Sequence, residues 1–174
     1  MRRLGVLAVS VLLAGCWQSK TDIYANVPTA APFHPGKVAS SSASGEQTHA
    51  VLGLERGGYR LTNDDHGSSD FGDSFILRFL PLAGAPPDIW AFDARDACKP
   101  ADANCKTQQH YYGLVRLTPQ GAELRNPDCP KTALLGARPD DFGACDFSSR
   151  TLLEKALLTL ARAAWKPDIV YRYD

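Results

Sequence analysis

The chain has 174 residues, of which 44% are apolar, and it carries 19 basic and 19 acidic side chains. This length suits one domain of ordinary size, not a multidomain enzyme. The balanced charge, without a basic stripe, argues against nucleic-acid binding, which depends on lysine and arginine neutralising phosphates. Because the five cysteines form an odd number, at least one of them has a role other than an intramolecular disulfide.

Residues 1–15 have the pattern of an export signal. Arg2 and Arg3 give a positive start, and residues 4–15 form an uncharged, mostly apolar run. As a helix this run measures only ~18 Å at ~1.5 Å per residue, whereas a bilayer core needs about 20 residues. A positive start, a short apolar run and small residues before a cleavage site predict a signal peptide and not a transmembrane anchor.

The end of this segment, Leu13-Ala14-Gly15-Cys16, resembles the lipobox of bacterial lipoproteins. The resemblance covers residues 1–16. It implies that diacylglycerol alkylates the thiol of Cys16, that a signal peptidase cleaves before this residue, and that several acyl chains then hold the protein firmly in a membrane. Trp17 stands where the enterobacterial pattern for inner-membrane retention has aspartate, which favours the outer membrane. The alternative is an ordinary secretory signal followed by a chance cysteine.

Residues 16–48 are predicted to be the lipidated cysteine and a flexible tether. This segment contains three prolines and a run of serine, alanine and glycine at 39–45. Proline stiffens a chain, and small polar residues bury too little apolar area to offset the entropy of ordering. We therefore expect the tether to separate the membrane from a compact domain, residues 49–174.

The first two-thirds of the compact domain has the pattern of short strands separated by turns. Segments 50–55 and 59–63 flank Arg56-Gly57-Gly58, which predicts a hairpin because glycine tolerates positive φ. A type I turn is expected at Thr118-Pro119-Gln120-Gly121. Further strands are predicted at residues 75–80, 89–92, 110–118 and 122–125.

The last segment changes to a helical period. Apolar residues recur at intervals of three and four, which predicts a helix over 149–165 that ends before Pro167. Residues 168–173 then read as a closing strand. The predicted fold is mainly β (α+β): an antiparallel sheet or small partial barrel, packed against one C-terminal helix that is followed by a short strand.

Four cysteines remain once Cys16 is assigned to lipid, and an oxidising compartment favours two structural disulfides. Of the three pairings, we favour Cys98 with Cys105 and Cys129 with Cys145, because each pair brackets a loop with little else to pack it. A metal site and a redox pair are less favoured alternatives. The spacings lack the close cysteine pair of zinc sites and the Cys-x-x-Cys of redox centres.

No motif in the remaining sequence identifies a catalytic residue. The polar stretch 63–73 offers oxygens of the kind that calcium prefers, but it lacks the register of an EF-hand loop, so a solvated loop is the favoured interpretation. The four histidines have no partner that the sequence identifies. Nucleophile elbows, zinc-protease motifs and phosphate-binding loops are absent. We therefore predict no catalytic residue, no metal and no cofactor.

These patterns predict a lipid-anchored protein on the periplasmic face of the outer membrane that acts by binding, with a protein of the envelope as its partner. The alternative is a lipocalin-like carrier of a small apolar ligand. The order of sheet and helix fits it loosely, but the nearest match to the lipocalin Gly-x-Trp is Gly57-Gly58-Tyr59 in the second strand. An envelope hydrolase is a third class, without a positive signature.

Overall fold

The computed structural model describes residues 17–43, 45, 47–63, 74–97, 109–129, 137–139 and 144–174. Within these ranges the secondary structure consists of eleven strands and one helix. In chain order they are β1 (Trp17–Ser19), β2 (Gly36–Ser42), β3 (Gln47–Glu55), β4 (Gly58–Asn63), β5 (Ser74–Pro81), β6 (Ile89–Asp96), β7 (His110–Thr118), β8 (Gly121–Arg125), β9 (Arg138–Pro139), β10 (Cys145–Asp146), α1 (Arg150–Ala161) and β11 (Ile169–Tyr173).

Eight of these strands close into an antiparallel barrel. Strands β2 to β7 each pair with the next strand along the chain, and β11 completes the ring by pairing with both β8 and β2. Closure pairs the edges that an open sheet would expose. The predicted mainly β fold with one C-terminal helix and a closing strand is confirmed, and the barrel is closed instead of partial.

The segment for which the sequence predicts a tether contributes β1 and β2 to this fold. Val38 is the one buried residue of β2. The strand therefore has no alternation of apolar and polar residues that would predict it from the sequence. Its conformation comes from pairing with β3 on one side and β11 on the other. In addition, Ser40 Oγ lies 2.6 Å from Thr48 Oγ1 across the β2–β3 pair, a cross-strand contact that stabilises sheets. The structure thus differs from the predicted tether over residues 17–42.

The predicted hairpin and the predicted C-terminal elements are confirmed, with one shift in a boundary. Gly57 has a φ of 81° between β3 and β4, a conformation that glycine adopts without strain. Strand β7 has the predicted bounds. Helix α1 follows Ser149 but ends at Ala161, before the predicted end at residue 165. No helix in the described ranges is both long and apolar enough to span a membrane.

Alternation along the strands produces two apolar clusters, one on each side of the barrel wall. The inner cluster fills the barrel and includes Tyr59, Phe79, Phe92 and Val115. The outer cluster lies between the wall and helix α1 with the N-terminal segment, and it includes Trp17, Tyr24, Tyr112, Leu114, Phe147, Leu153 and Leu157. Strand β5 contributes to both clusters, as expected for a strand that is apolar on both faces.

Candidate functional site

One end of the barrel opens into a small apolar cavity. Its volume is about 40 Å³ and its accessible lining is apolar. The deeper wall is formed by residues of β4, β6 and β8, among them Leu61, Phe92 and Leu124. We call this end the mouth. A cavity of this size has room for a few water molecules, but its accessible lining offers them no polar partner.

Phe33, in the segment that precedes β2, lines the cavity at the mouth. Its ring packs edge-to-face on Phe79 at 4.7 Å and on Tyr59 at 6.0 Å, centroid to centroid. The Tyr59 hydroxyl donates to the Phe33 carbonyl at 2.7 Å and accepts from the Phe33 N–H at 2.8 Å. Burial raises the pKa of Tyr59, which keeps this hydroxyl protonated. Tyr59 therefore fixes the backbone of Phe33 as well as its ring.

The rim of the mouth exposes apolar side chains. Leu54 is 61% exposed and Tyr173 is 37% exposed. Leu54 lies two residues beyond the cavity-lining Leu52 on the same face of β3, because strand side chains alternate between faces. Tyr173 also lines the cavity, and its hydroxyl accepts the N–H of His34 at 3.2 Å. The rim and the cavity together form an apolar site at one end of the barrel.

A second feature is a buried ion-pair cluster on the outer wall, under the N-terminal segment. Asp93 of β6 is 1% exposed. One of its oxygens accepts two hydrogen bonds from Arg78 of β5, and the other lies 2.9 Å from His110 Nδ1 of β7. Arg78 also donates to Asp22 at 2.5 Å. Adjacent strands in register bring these side chains together, and Asp22 fastens the N-terminal segment to them.

The cluster contains three side chains of the kind that bind metal ions, namely Asp22, Asp93 and His110, with ligand atoms within 4.8 Å of one another. The guanidinium of Arg78 already pairs with both carboxylates, and its charge would repel a cation. Burial alone would raise the pKa of Asp22, but the hydrogen bond and charge of Arg78, with a smaller effect of His110, hold this pKa below its ordinary value. The geometry supports a structural ion pair.

Ser19 lies opposite His110 in the β1–β7 register, so serine, histidine and aspartate are near one another here. Ser19, Asp93 and His110 are each at most 4% exposed. The Ser19 hydroxyl accepts the N–H of Thr21 and lies 3.1 Å from its Oγ1. A substrate in solution has no access to these buried groups, so the constellation fastens β1 and the segment after it to the barrel wall.

The structure describes only part of the predicted site residues. Cys129 and Cys145 form the predicted disulfide, with Cα atoms 5.2 Å apart. Cys16, Cys98 and Cys105 lie outside the described residues, as does most of the polar stretch 63–73. Sequence reasoning missed the Arg78–Asp93 pair. A signal was available in β5, where Arg78 is the one charged residue of the strand, whereas β6 carries Arg95 and Asp96 besides Asp93.

The fold and these features define the class of protein: a closed, eight-stranded antiparallel barrel with an apolar mouth and a helix packed on its outer wall. Comparison with known proteins adds no family to this description. No family model, no curated protein and no solved structure matches the chain.

Proposed function

We propose that this chain is a lipid-anchored protein of the bacterial envelope, held through Cys16 at the periplasmic face of the outer membrane, and that it acts by binding a protein partner at the mouth. The lipobox supports the anchor and the location. The observation that carries the binding site is the exposed apolar rim above an apolar cavity. Single exposed apolar residues are ordinary on protein surfaces, but here they surround a pocket.

The size of the cavity favours a protein partner over an enclosed small molecule. Pockets for drug-sized ligands have volumes of ~300–1,000 Å³, whereas this cavity has about 40 Å³. Binding energy at protein interfaces is concentrated in a few apolar or aromatic anchors that enter pockets and exclude water. A rim formed by Leu54, Phe33 and Tyr173 is suited to contact such an anchor.

Two substitutions on the same strand test the site. Leu54→Asp places a charge on the rim, while Val51→Asp places the same charge on the outer face of β3, where Val51 is 39% exposed. Cross-linking in intact envelopes is expected to capture one specific protein with the wild-type chain and with Val51→Asp, and to lose it with Leu54→Asp. Equal capture by both variants, or no specific partner for the wild-type chain, contradicts the proposal.

The anchor is tested in the same envelopes with Cys16→Ser. This variant lacks the thiol that takes the lipid, so we expect it to leave the membrane fraction after cell lysis while the wild-type chain stays. Retention of Cys16→Ser in the membrane to the same extent as the wild-type chain contradicts the anchor. The binding site at the mouth is tested separately, by Leu54→Asp and Val51→Asp.

A lipocalin-like carrier of a small apolar ligand is the second candidate, and the closed barrel is compatible with it. The observation that favours it is Phe33, whose ring occupies the mouth as a ligand would. The carrier function requires this ring to leave the mouth. Native mass spectrometry of the purified chain is the test: a bound apolar molecule supports the carrier, and an empty barrel after exposure to envelope lipids eliminates it.

A further inference from the structure

A groove lies beside β1 on the outer wall of the barrel, away from the mouth. Its volume is about 480 Å³, within the ~300–1,000 Å³ range of ligand pockets. Helix α1 and the residues just after it form one wall, with Ala156, Thr159, Leu160 and Ala163. The other wall consists of Trp17 and residues 125–128, at the end of β8, and the charged residues Lys166 and Asp168 also line the groove.

Trp17 is held firmly in this wall. Strand β1 is paired with β7 on one side and with β10 on the other. The indole N–H donates to the Asp128 carbonyl at 3.3 Å, and the ring packs on Phe147 at 5.2 Å between centroids. Cys16 directly precedes Trp17 in the chain. A lipid on Cys16 is therefore attached one residue from the groove, without a spacer.

Asn126 adds a polar group to the groove. Its Nδ2 is buried and has no hydrogen-bond partner among the residues that the structure describes, although its backbone N–H donates to Asp168 at 2.7 Å. A buried donor without an acceptor is unfavourable. The ester carbonyls of a diacylglycerol are acceptors, and they would enter the groove with an acyl chain.

We propose that the groove beside Trp17 receives one acyl chain of the lipid on Cys16, while the remaining acyl chains stay in the bilayer. The inference rests on the proposed lipidation of Cys16 and extends it. In this arrangement the face of the barrel that carries the groove rests against the membrane, and no tether separates the two. The bilayer also buries methylene groups, so the seating depends on the contact that the unpartnered Nδ2 of Asn126 offers to a lipid carbonyl.

The test uses the full lipidated chain in membranes. A photoreactive benzoylphenylalanine replaces Thr159, which is exposed and lines the groove. In the control it replaces Arg162, which is exposed and lies toward Gly84 on another side of the helix. After irradiation, mass spectrometry measures the α1 peptide joined to the Cys16 lipopeptide. We expect about tenfold more of this product from position 159 than from position 162.

The outcomes separate this inference from the proposed function. If the Cys16 lipopeptide is present but position 159 cross-links only to membrane phospholipid, or no more than position 162, the groove proposal is overturned and the anchor stands. If Cys16 carries no lipid, both are overturned.

A groove-filling variant gives a second measurement. Ala163→Trp narrows the groove, and Ala164→Trp places the same side chain on the next exposed residue, outside the groove. We expect Ala163→Trp to lower the cross-link yield from position 159 about tenfold and Ala164→Trp to leave it unchanged. Equal yields from the two variants contradict the seating of an acyl chain.

Discussion

Phe33 is the side chain that occupies the mouth of the barrel. Its ring contacts Phe79 and Tyr59, and the Tyr59 hydroxyl binds both polar groups of its backbone. The ring lines the apolar cavity at the mouth and narrows its opening. The mouth is therefore an apolar site that the chain itself occupies.

We predict that Phe33→Ala lowers the free energy of unfolding by about 2 kcal/mol, less than the ~3–5 kcal/mol of a fully buried phenylalanine, because Phe33 is only partly buried. The variant is also expected to bind benzene, which enters dry apolar cavities, whereas the wild-type chain is not. Urea titration and calorimetry measure the two effects. Phe33→Leu is the control, in which we expect smaller changes in both the free energy of unfolding and benzene binding. Unchanged stability in Phe33→Ala would contradict the proposed packing of the Phe33 ring at the mouth.

Arg78 and Asp93 form a buried ion pair on the outer wall. We predict that Arg78→Met lowers the free energy of unfolding by about 3–5 kcal/mol, since it leaves the Asp93 carboxylate buried without its main counter-charge. Arg60→Met is the control: Arg60 pairs with Glu55 on the surface, and exposed pairs contribute about 0–1 kcal/mol. Urea titrations measure the loss of unfolding free energy in each variant. Similar losses in the two variants would contradict the prediction, because the burial of Asp93 would then add nothing to the cost of removing its counter-charge.

Asp22 makes the stability of the fold sensitive to acid. Its pKa is lower in the folded chain than its ordinary value, so its contribution is present above the unfolded-state pKa of about 3.9 and is lost as the pH falls through the folded-state pKa. We predict that the wild-type chain loses more stability below about pH 4 than Asp22→Asn does. Urea titrations at a series of pH values measure this difference, and parallel curves contradict it.

At the scale of elements, the sequence predicted those whose own residues carry a period. The hairpin of β3 and β4, helix α1 and β11 each bury one regular face, so alternation or helical spacing was sufficient. Strand β7 divides its residues between two buried faces, one in each apolar cluster. Strand β2 could not be predicted in this way, because its strand state is imposed by hydrogen bonds to β3 and β11. The Arg78–Asp93–His110 cluster likewise depends on the register of three strands.

Deletion of the predicted tether tests the role of β2. A fragment of residues 49–174 lacks β1 and β2, which leaves β3 and β11 as unpaired edges of an open sheet, and such edges promote aggregation. We predict that this fragment aggregates or loses strand content relative to a chain of residues 17–174. Circular dichroism and gel filtration compare the two chains. A monomeric fragment with undiminished strand content would restore the tether interpretation.

At the scale of the whole molecule, the mouth and the groove lie apart. The mouth is formed by the end of β3 and the end of β11, whereas the groove lies by β1 and helix α1 on the outer wall. In the proposed arrangement the groove holds the barrel to the membrane and leaves the mouth free for a partner. Residues 13–16 predict the anchor from the sequence alone. The mouth and the groove could be identified only from the fold, because each is formed by residues that are distant in the sequence.

The central claim is that this chain is a lipoprotein anchored through Cys16, and the mass of its mature N-terminal peptide tests it most directly. The chain is expressed in full in a diderm bacterium, purified from membranes and digested. We predict a peptide that begins at Cys16, continues with Trp17 and carries the mass of diacylglycerol with or without a further acyl chain. A peptide that begins at another residue, or an unmodified Cys16, would contradict the account.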